Sequence, residues 1–310
     1  MLYRNLGKSG LKVSAIGLGT NQFGGKVDLA GVNNIIAAAF DAGVNFIDTA
    51  DVYQGGRSEE FIGEALKGQR DRALIATKVM HKVGEGPNDF GASRQHILSG
   101  VEASLRRLQT DYLDLYQIHR WDAETPLEET MQALDDLVRA GKVRYIGASN
   151  FDSWQLTHAN ALAELRGWTK FVSVQPHYHI LEREIEKELT PACKYFGIGI
   201  LPYFPLAGGF LTGKYQEGQP APEGSRGESS QYVQRYMTPK NYAVLNRLTE
   251  FAQERQHTIN ELAHAWLLAQ PMVSSVISGA TKVAHVQANA SAGDWILTPE
   301  EVTALNEIIS

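Results

Sequence analysis

A chain of 310 residues is long for an ordinary domain and normal for a single α/β barrel. Its apolar content of 43% and charged content of 21% fit a globular protein with a large core. The net charge of −6 creates no general attraction to nucleic acid or anionic membrane, so neither is expected as a partner.

The opening Met1–Gly7 lacks the apolar stretch of a signal peptide, and no apolar run is long enough to span a bilayer. A cytoplasmic chain is therefore expected. Tyr3–Asn5 and Leu11–Val13 flank a Gly-Lys-Ser-Gly turn and predict a hairpin that would cap the bottom of a barrel. Ala15–Gly19 reads as a strand, and Leu29–Ala42 as a helix stopped by Gly43, a good C-terminal cap. Strand Phe46–Asp48, helix Ser58–Leu66 and strand Leu74–Thr77 follow, then a helix from Ser93 to about Leu108 behind a polar cap. Next come strand Leu113–His119, helix Leu127–Ala140 closed by Gly141, strand Val143–Ala148, helix Ser153–Arg166 and strand Phe171–Gln175. A helix over Ile185–Phe196, ended by Gly197, precedes strand Ile198–Tyr203. Helices Asn241–His257 and Ile259–Ala269, strand Val273–Ile277, helix Val283–Ala292 and a final helix Pro299–Ile309 complete the chain.

Eight apolar strands alternating with helices are the pattern of a parallel sheet wrapped by helices. The expected fold is one domain over residues 1–310. It is a closed (β/α)8 TIM barrel with an N-terminal β-hairpin cap, a long loop after strand seven and a C-terminal helix. That loop, Gly208 to Pro239, carries a Gly-, Pro- and Ser-rich stretch from Gly218 to Ser230. Long loops in compact domains are usually lids or binding loops, and this one follows a strand on the active face.

Several motifs resemble sites without completing them. Gly17-Leu-Gly19-Thr-Asn-Gln-Phe-Gly24 misplaces the third glycine of a dinucleotide fingerprint, since Gln22 holds that position. Gly208–Tyr215 nearly matches a phosphate loop, but Tyr215 replaces the magnesium-ligating hydroxyl, and Phe210 and Leu211 are bulky. A glycine-lined turn with Lys214 can still hold a different phosphate. His177 and His179 share a strand face but lack a third ligand, so no metal is expected. Cys193, the single cysteine, excludes an intrachain disulfide framework and reads as a buried structural thiol. Of the tryptophans, Trp121 follows a strand end and is placed to wall a pocket.

Four polar residues stand at or just past separate strand ends: Asp48, Tyr53, Lys78 and His119. In a barrel those ends converge on one face, where chemistry sits. Asp48 and Lys78 can form an ion pair, and a cation beside Tyr53 would favour phenolate and lower its pKa. A tyrosine so tuned can donate a proton to a developing alkoxide, with His119 orienting the carbonyl oxygen or assisting the transfer. No nucleophile with a paired base appears, so acyl transfer is unsupported. Proton donation to a carbonyl oxygen needs a hydride source.

On these residues the sequence resembles the aldo-keto reductase superfamily along almost its full length. The matching segments are Phe46-Ile-Asp-Thr-Ala-Asp-Val-Tyr53 with Gly56-Arg-Ser-Glu-Glu60, Ala76-Thr-Lys78, Leu113-Asp-Leu-Tyr-Gln-Ile-His119, Gly147-Ala-Ser-Asn150 and Pro202-Tyr-Phe-Pro-Leu-Ala207. The opening Tyr3-Arg-Asn-Leu-Gly7 and the segment Ser93–Leu108 look closest to bacterial reductases related to potassium-channel β subunits. The resemblance implies a nicotinamide-dependent reductase of aldehydes and ketones with Tyr53 as general acid. Asp48 and Lys78 would tune it and His119 would position substrate.

By the same resemblance, Ser149, Asn150 and Gln175 would hold the carboxamide and Tyr203 would stack on the nicotinamide. Leu206, Lys214 and Arg226 would lie along the pyrophosphate. Thr281, Lys282, His285 and Asn289 would face the adenosine end, and Thr20, Asn21, Asp48 and Gly279 would complete the cofactor site. Three positions depart from the family. Phe204 stands where a serine is frequent near the pyrophosphate, and Ala288 replaces a common glutamate. His285 stands where many members place arginine or glutamine, and imidazole grips phosphate less well than guanidinium does. Lys282 would compensate, so NADP(H) is expected ahead of NAD(H). Phe23, Trp121 and Phe151 are expected pocket walls, suited to a small carbonyl or alcohol. Two alternatives stay open. One is a nucleotide-binding regulatory subunit with slow turnover, against which His119 counts, because the channel subunits that resemble this chain tend to lack it. The other is an NAD(P)+-dependent sugar, alcohol or pyridoxal dehydrogenase.

Overall fold

The structure is a computed structural model and describes residues 1–309. Its centre is an eight-stranded parallel sheet in the order β10-β3-β4-β5-β6-β7-β8-β9. The strands are β3 (Ile16–Gly19), β4 (Phe46–Asp48), β5 (Leu74–Val79), β6 (Leu113–Ile118), β7 (Val143–Ser149), β8 (Ser173–Gln175), β9 (Gly199–Ile200) and β10 (Val276–Gly279). Isolated parallel bridges, Ile200 with Val273 and Tyr203 with Ile277, link its two edges and give a curled, barrel-like sheet. A separate antiparallel hairpin, β1 (Tyr3–Asn5) with β2 (Lys12–Ser14), precedes it.

Side-chain alternation along each strand divides the core in two. In β5, Ile75 and Val79 belong to the large cluster between sheet and helices, whereas Ala76 faces a smaller inner cluster. The period of two therefore turns Lys78 inward as well. Phe46 and Leu115 are inner residues, which aims Asp48 and Gln117 the same way. Leu201 and Ile277 are inner on β9's continuation and β10, with Tyr203 and Gly279 following. One face of the sheet thus collects a polar layer at the strand ends, above an apolar one.

The hairpin lies against the opposite end. Its Leu6 and Val13 enter the inner cluster. Lys8 N donates to Gly197 O at 2.8 Å, and the Arg4 guanidinium donates to Leu268 O and Val273 O at 2.8 and 2.9 Å. Gly7, at φ +58°, sits where a Cβ would lie 2.6 Å from Gly197 O, so the turn requires glycine there.

Helices pack outside: α1 (Leu29–Asp41), α2 (Arg57–Ala65), α3 (Arg94–Leu108), α4 (Leu127–Arg139), α5 (Ser153–Arg166) and α6 (Leu189–Phe196). Beyond β9 come α7 (Arg226–Ser229), α8 (Gln231–Gln234), α9 (Pro239–Gln253), α10 (Ile259–Ala269), α11 (Val283–Ala292) and α12 (Pro299–Ile309). Several begin on the caps their sequences advertise: Asp28 for α1, Ser93 for α3, and reciprocal capping boxes Asp152–Gln155 for α5 and Thr258–Glu261 for α10. No helix among the described residues is long and apolar enough to cross a membrane.

Some boundaries differ from expectation. The helix expected over Ile185–Phe196 starts at Leu189 behind a 3-10 turn. Pro191 lies in its first turn, where a missing N–H is tolerated but upstream extension is not. The last strand is Val276–Gly279, three residues beyond the apolar run's start, because Val273 forms only an isolated bridge. The segment 208–239 is a loop with content of its own: a 3-10 stretch Ala207–Thr212, then α7 and α8.

Candidate active site

Lys78 is wholly buried, and its ammonium donates at 2.7 Å to Asp48 Oδ2 and at 2.7 Å to the Thr49 carbonyl. The second oxygen of Asp48 accepts from Gln175 Nε2 at 2.8 Å and Gln117 Nε2 at 3.4 Å. A buried ion pair is costly unless its remaining lone pairs are met, and here they are. Tyr53 opens a 3-10 turn in which Gln54 and Gly55 are left-handed, at φ 53° and 66°. That turn brings its ring over Lys78, with Nζ 5.2 Å from the centroid.

Burial raises the Lys78-adjacent phenol of Tyr53 above its ordinary pKa. Lys78 opposes this by charge and by a hydrogen bond, and Asp48 reinforces it. The cation does lower it, as expected, but in this buried setting desolvation outweighs the lysine and the net direction is upward. Burial pulls Lys78 down, but Asp48 and Tyr53 outweigh it and hold it above its usual value. Burial, with Lys78 and His81, depresses His119 to about 2, so its ring is neutral. His119 Nδ1 is buried without a partner among the described residues, and the ring sits edge-on to Tyr53 at 5.9 Å and to His81 at 4.5 Å.

Beside these lie Ser149, Asn150, Gln175 and Tyr203, linked by hydrogen bonds. Ser149 Oγ donates to the Gln175 carbonyl at 2.9 Å, and Asn150 Nδ2 donates to the His119 carbonyl at 3.0 Å. The Tyr203 hydroxyl donates to Asn150 Oδ1 at 2.8 Å. Asn150, Phe204 and Ala207 all carry left-handed backbones, at φ 53°, 56° and 49°, concentrated where strands end and loops begin.

A cavity of about 870 Å³ runs from this group across the sheet's face. Tyr53, His119 and Asp48 line it, as do Ser149, Asn150, Gln175 and Tyr203. Leu206 and, from the long loop itself, Lys214 and Arg226 also line it. Thr281, Lys282, His285 and Asn289 line it too, and Thr20, Asn21 and Gly279 complete the wall. Lys214, Arg226 and Lys282 form no ion pair among the described residues. Burial, then Lys282 and Lys214, lowers His285 below its ordinary pKa.

The expected aromatic walls lie elsewhere. None of Phe23, Trp121 and Phe151 lines the cavity. Phe23 is fully buried in the core, and Phe151 packs between Trp121 and Phe171 at 5.3 and 5.8 Å. Proximity to a strand end does not say whether a side chain turns to the site or back to the helices. Cys193 is buried and its thiol is pushed up to about 12 by that burial. The described residues hold no cluster fit to bind a metal ion, and His177 and His179 serve other contacts.

Sequence reasoning passed over two groups. His81 abuts His119 from the loop after β5, where no motif marks it. Asp51 is 3% exposed, and neither carboxylate oxygen has a side-chain donor among the described residues. Burial and the neighbouring Glu59 raise it to about 7, against the pull of Arg107, the Val52 backbone N–H and Lys78. Its position three residues after Asp48 was the available signal: on a strand-end turn, an acid so spaced has no guaranteed outlet to water.

The aldo/keto reductase family model matches residues 15–310. The chain is 38% identical over 319 residues to a rice protein (Oryza sativa subsp. japonica) named "Probable voltage-gated potassium channel subunit beta", covering 100% of this chain and 97% of that one. It is 36% identical to versiconal hemiacetal acetate reductase of Aspergillus parasiticus, covering 99% and 96%. It is also 36% identical to an uncharacterized oxidoreductase of Bacillus subtilis, covering 99% and 96%. The likeness to channel β subunits thus holds, on plant and fungal proteins where bacterial ones were expected. The chain belongs to the aldo/keto reductase family.

Proposed function

We propose that this chain reduces aldehydes or ketones with a nicotinamide cofactor, NADP(H) ahead of NAD(H), and that Tyr53 is its general acid. The observation that carries this is one cavity lined both by Tyr53, which sits against the buried Lys78–Asp48 pair, and by Lys214, Arg226 and Lys282, cations without acidic partners among the described residues. The donor set fits a dinucleotide phosphate. Amides suit a carboxamide, and Lys214 and Arg226 suit a pyrophosphate. Lys282 and His285 suit a further phosphate at the adenosine end. We read the curled sheet as a closed (β/α)8 barrel capped by the hairpin, and the chain as one domain.

The bound cofactor would supply the hydride. Tyr53 gives its proton to the carbonyl oxygen as negative charge develops there. The Lys78 ammonium stabilises the phenolate left behind, and Asp48 keeps Lys78 charged and aimed. His119, neutral throughout the ordinary pH range, orients the carbonyl by hydrogen bonding and is no proton donor of imidazolium type. Phenol burial has a purpose in this reading: a raised pKa keeps the proton on Tyr53 until the alkoxide needs it.

The test is fluorescence titration with NADPH and with NADH, then addition of small aldehydes while the nicotinamide band is followed. Tight NADPH binding with fast oxidation supports the proposal. A second reading, a nucleotide-binding regulatory subunit, is favoured by the name of the rice relative. Tight binding without turnover, in either direction and with alcohols and NADP+ also tried, would favour it. Binding of neither nucleotide would sink both.

A further inference from the structure

We propose that Tyr232 and His177 form a clasp through which the long loop fixes the nicotinamide seat, making both positioning residues for Tyr203 and Asn150. This rests on the cofactor reading above. Tyr232 lies on α8, within the loop over the cavity, and His177 lies just past β8. Neither lines the cavity, and both are half-buried behind residues that do.

The contacts run without a gap from loop to seat. The Tyr232 hydroxyl pairs with His177 Nε2. The His177 ring stacks on Tyr203 with centroids 5.4 Å apart and planes 20° from parallel. The Tyr203 hydroxyl donates to Asn150 Oδ1 at 2.8 Å, and Asn150 Nδ2 donates to Ser149 Oγ at 3.1 Å and to the His119 carbonyl at 3.0 Å. Each link fixes the plane or the hydroxyl direction of the next.

Phe204 closes the grip. It follows Tyr203 on a left-handed backbone, and its ring lies 5.2 Å from Tyr232 and 6.2 Å from His177. A serine there could offer Tyr232 no aromatic face, so this departure from the family pattern and the clasp belong together. Burial holds His177 down to about 4, which keeps the ring neutral and the clasp insensitive to physiological pH. A second anchor keeps α8 in reach: Arg235 and the Tyr236 hydroxyl both donate to Glu182 Oε1, at 2.8 and 2.9 Å. Such an arrangement lets closure of the loop and alignment of the nicotinamide end occur together, as preorganisation requires.

The test separates the nicotinamide from the rest of the cofactor. NADP+ and 2′-phospho-ADP-ribose share the pyrophosphate and adenosine ends, and only the first carries the ring. Both are titrated calorimetrically into the full chain and its Tyr232→Phe variant, which loses only a hydroxyl. The expected result is a loss of ~5- to 10-fold for NADP+, the scale of one hydrogen bond, with no more than about a twofold change for the fragment. His177→Leu should repeat the pattern. Equal losses for both ligands would mean a general loosening of the loop and overturn the proposal, as would no loss for either. If the wild type prefers NAD+, NAD+ and ADP-ribose serve in their place. A wild type that binds none of these ligands overturns the cofactor reading itself, and the clasp with it.

Discussion

Two buried acids three residues apart meet different fates. Asp48 has its oxygens filled by Lys78 and Gln175, whereas Asp51 has no side-chain donor among the described residues. Its pKa of about 7 in the folded chain exceeds the ordinary carboxyl value, so between those pH values the folded state binds the proton more tightly than the unfolded one. Stability therefore falls as pH rises from about 4 to 7, and above that range the charged acid imposes its full cost. We expect Asp51→Asn to gain on the order of 2 kcal/mol at pH 8 and almost nothing at pH 4. Denaturant unfolding at both pH values checks this, and a gain that is equal at both would contradict it. At this scale the sequence was informative where alternation decides. Asp48 and Lys78 follow inner residues by two, so their direction could be read. The proton affinity of Tyr53 could not, because it depends on how much water the assembled site excludes.

Helices are legible where polar caps mark their starts. Ile259–Ala269 and Ser153–Arg166 agree with expectation at both ends, and each begins with a capping box. Thr258→Ala removes the hydroxyl that accepts from Glu261 N and that pairs with the Glu261 carboxylate. We expect a loss of ~1 kcal/mol, read as a lower urea midpoint with unchanged slope. An unchanged midpoint would show that packing of α10 alone holds its first turn. Strands were less legible at their ends, because apolar runs continue past the last ladder pair. Ile198–Tyr203 is a run of this kind: only Gly199–Ile200 pairs as strand, and Tyr203 continues it through isolated bridges. The short helices of the long loop carry no periodic signal, so the placement of Tyr232 against His177 was invisible in the sequence.

For the molecule as a whole, the alternation of strand and helix announced the parallel order, and the β3 to β9 neighbours follow the chain. What joins the chain's beginning to its end was not written in local pattern. Arg4 spans 264 and 269 residues to reach the carbonyls of Leu268 and Val273. Arg4→Ala leaves both carbonyls without that donor and removes one of the hairpin's ties to the barrel-like sheet. We expect ~1–3 kcal/mol of lost stability, with cofactor affinity unchanged because the hairpin lies opposite the cavity. Loss of affinity matching the loss of stability would show that the hairpin and the site are coupled.

The central claim concerns one proton. NADPH-loaded protein is mixed with a small aldehyde, and a single turnover is followed at the nicotinamide band for the wild type and for Tyr53→Phe. The account predicts unchanged NADPH affinity and oxidation slowed by ~10²- to 10⁴-fold in the variant, the range of general acid catalysis. Oxidation within about tenfold of the wild type would contradict it, because the phenol would then be dispensable and the proton would come from elsewhere.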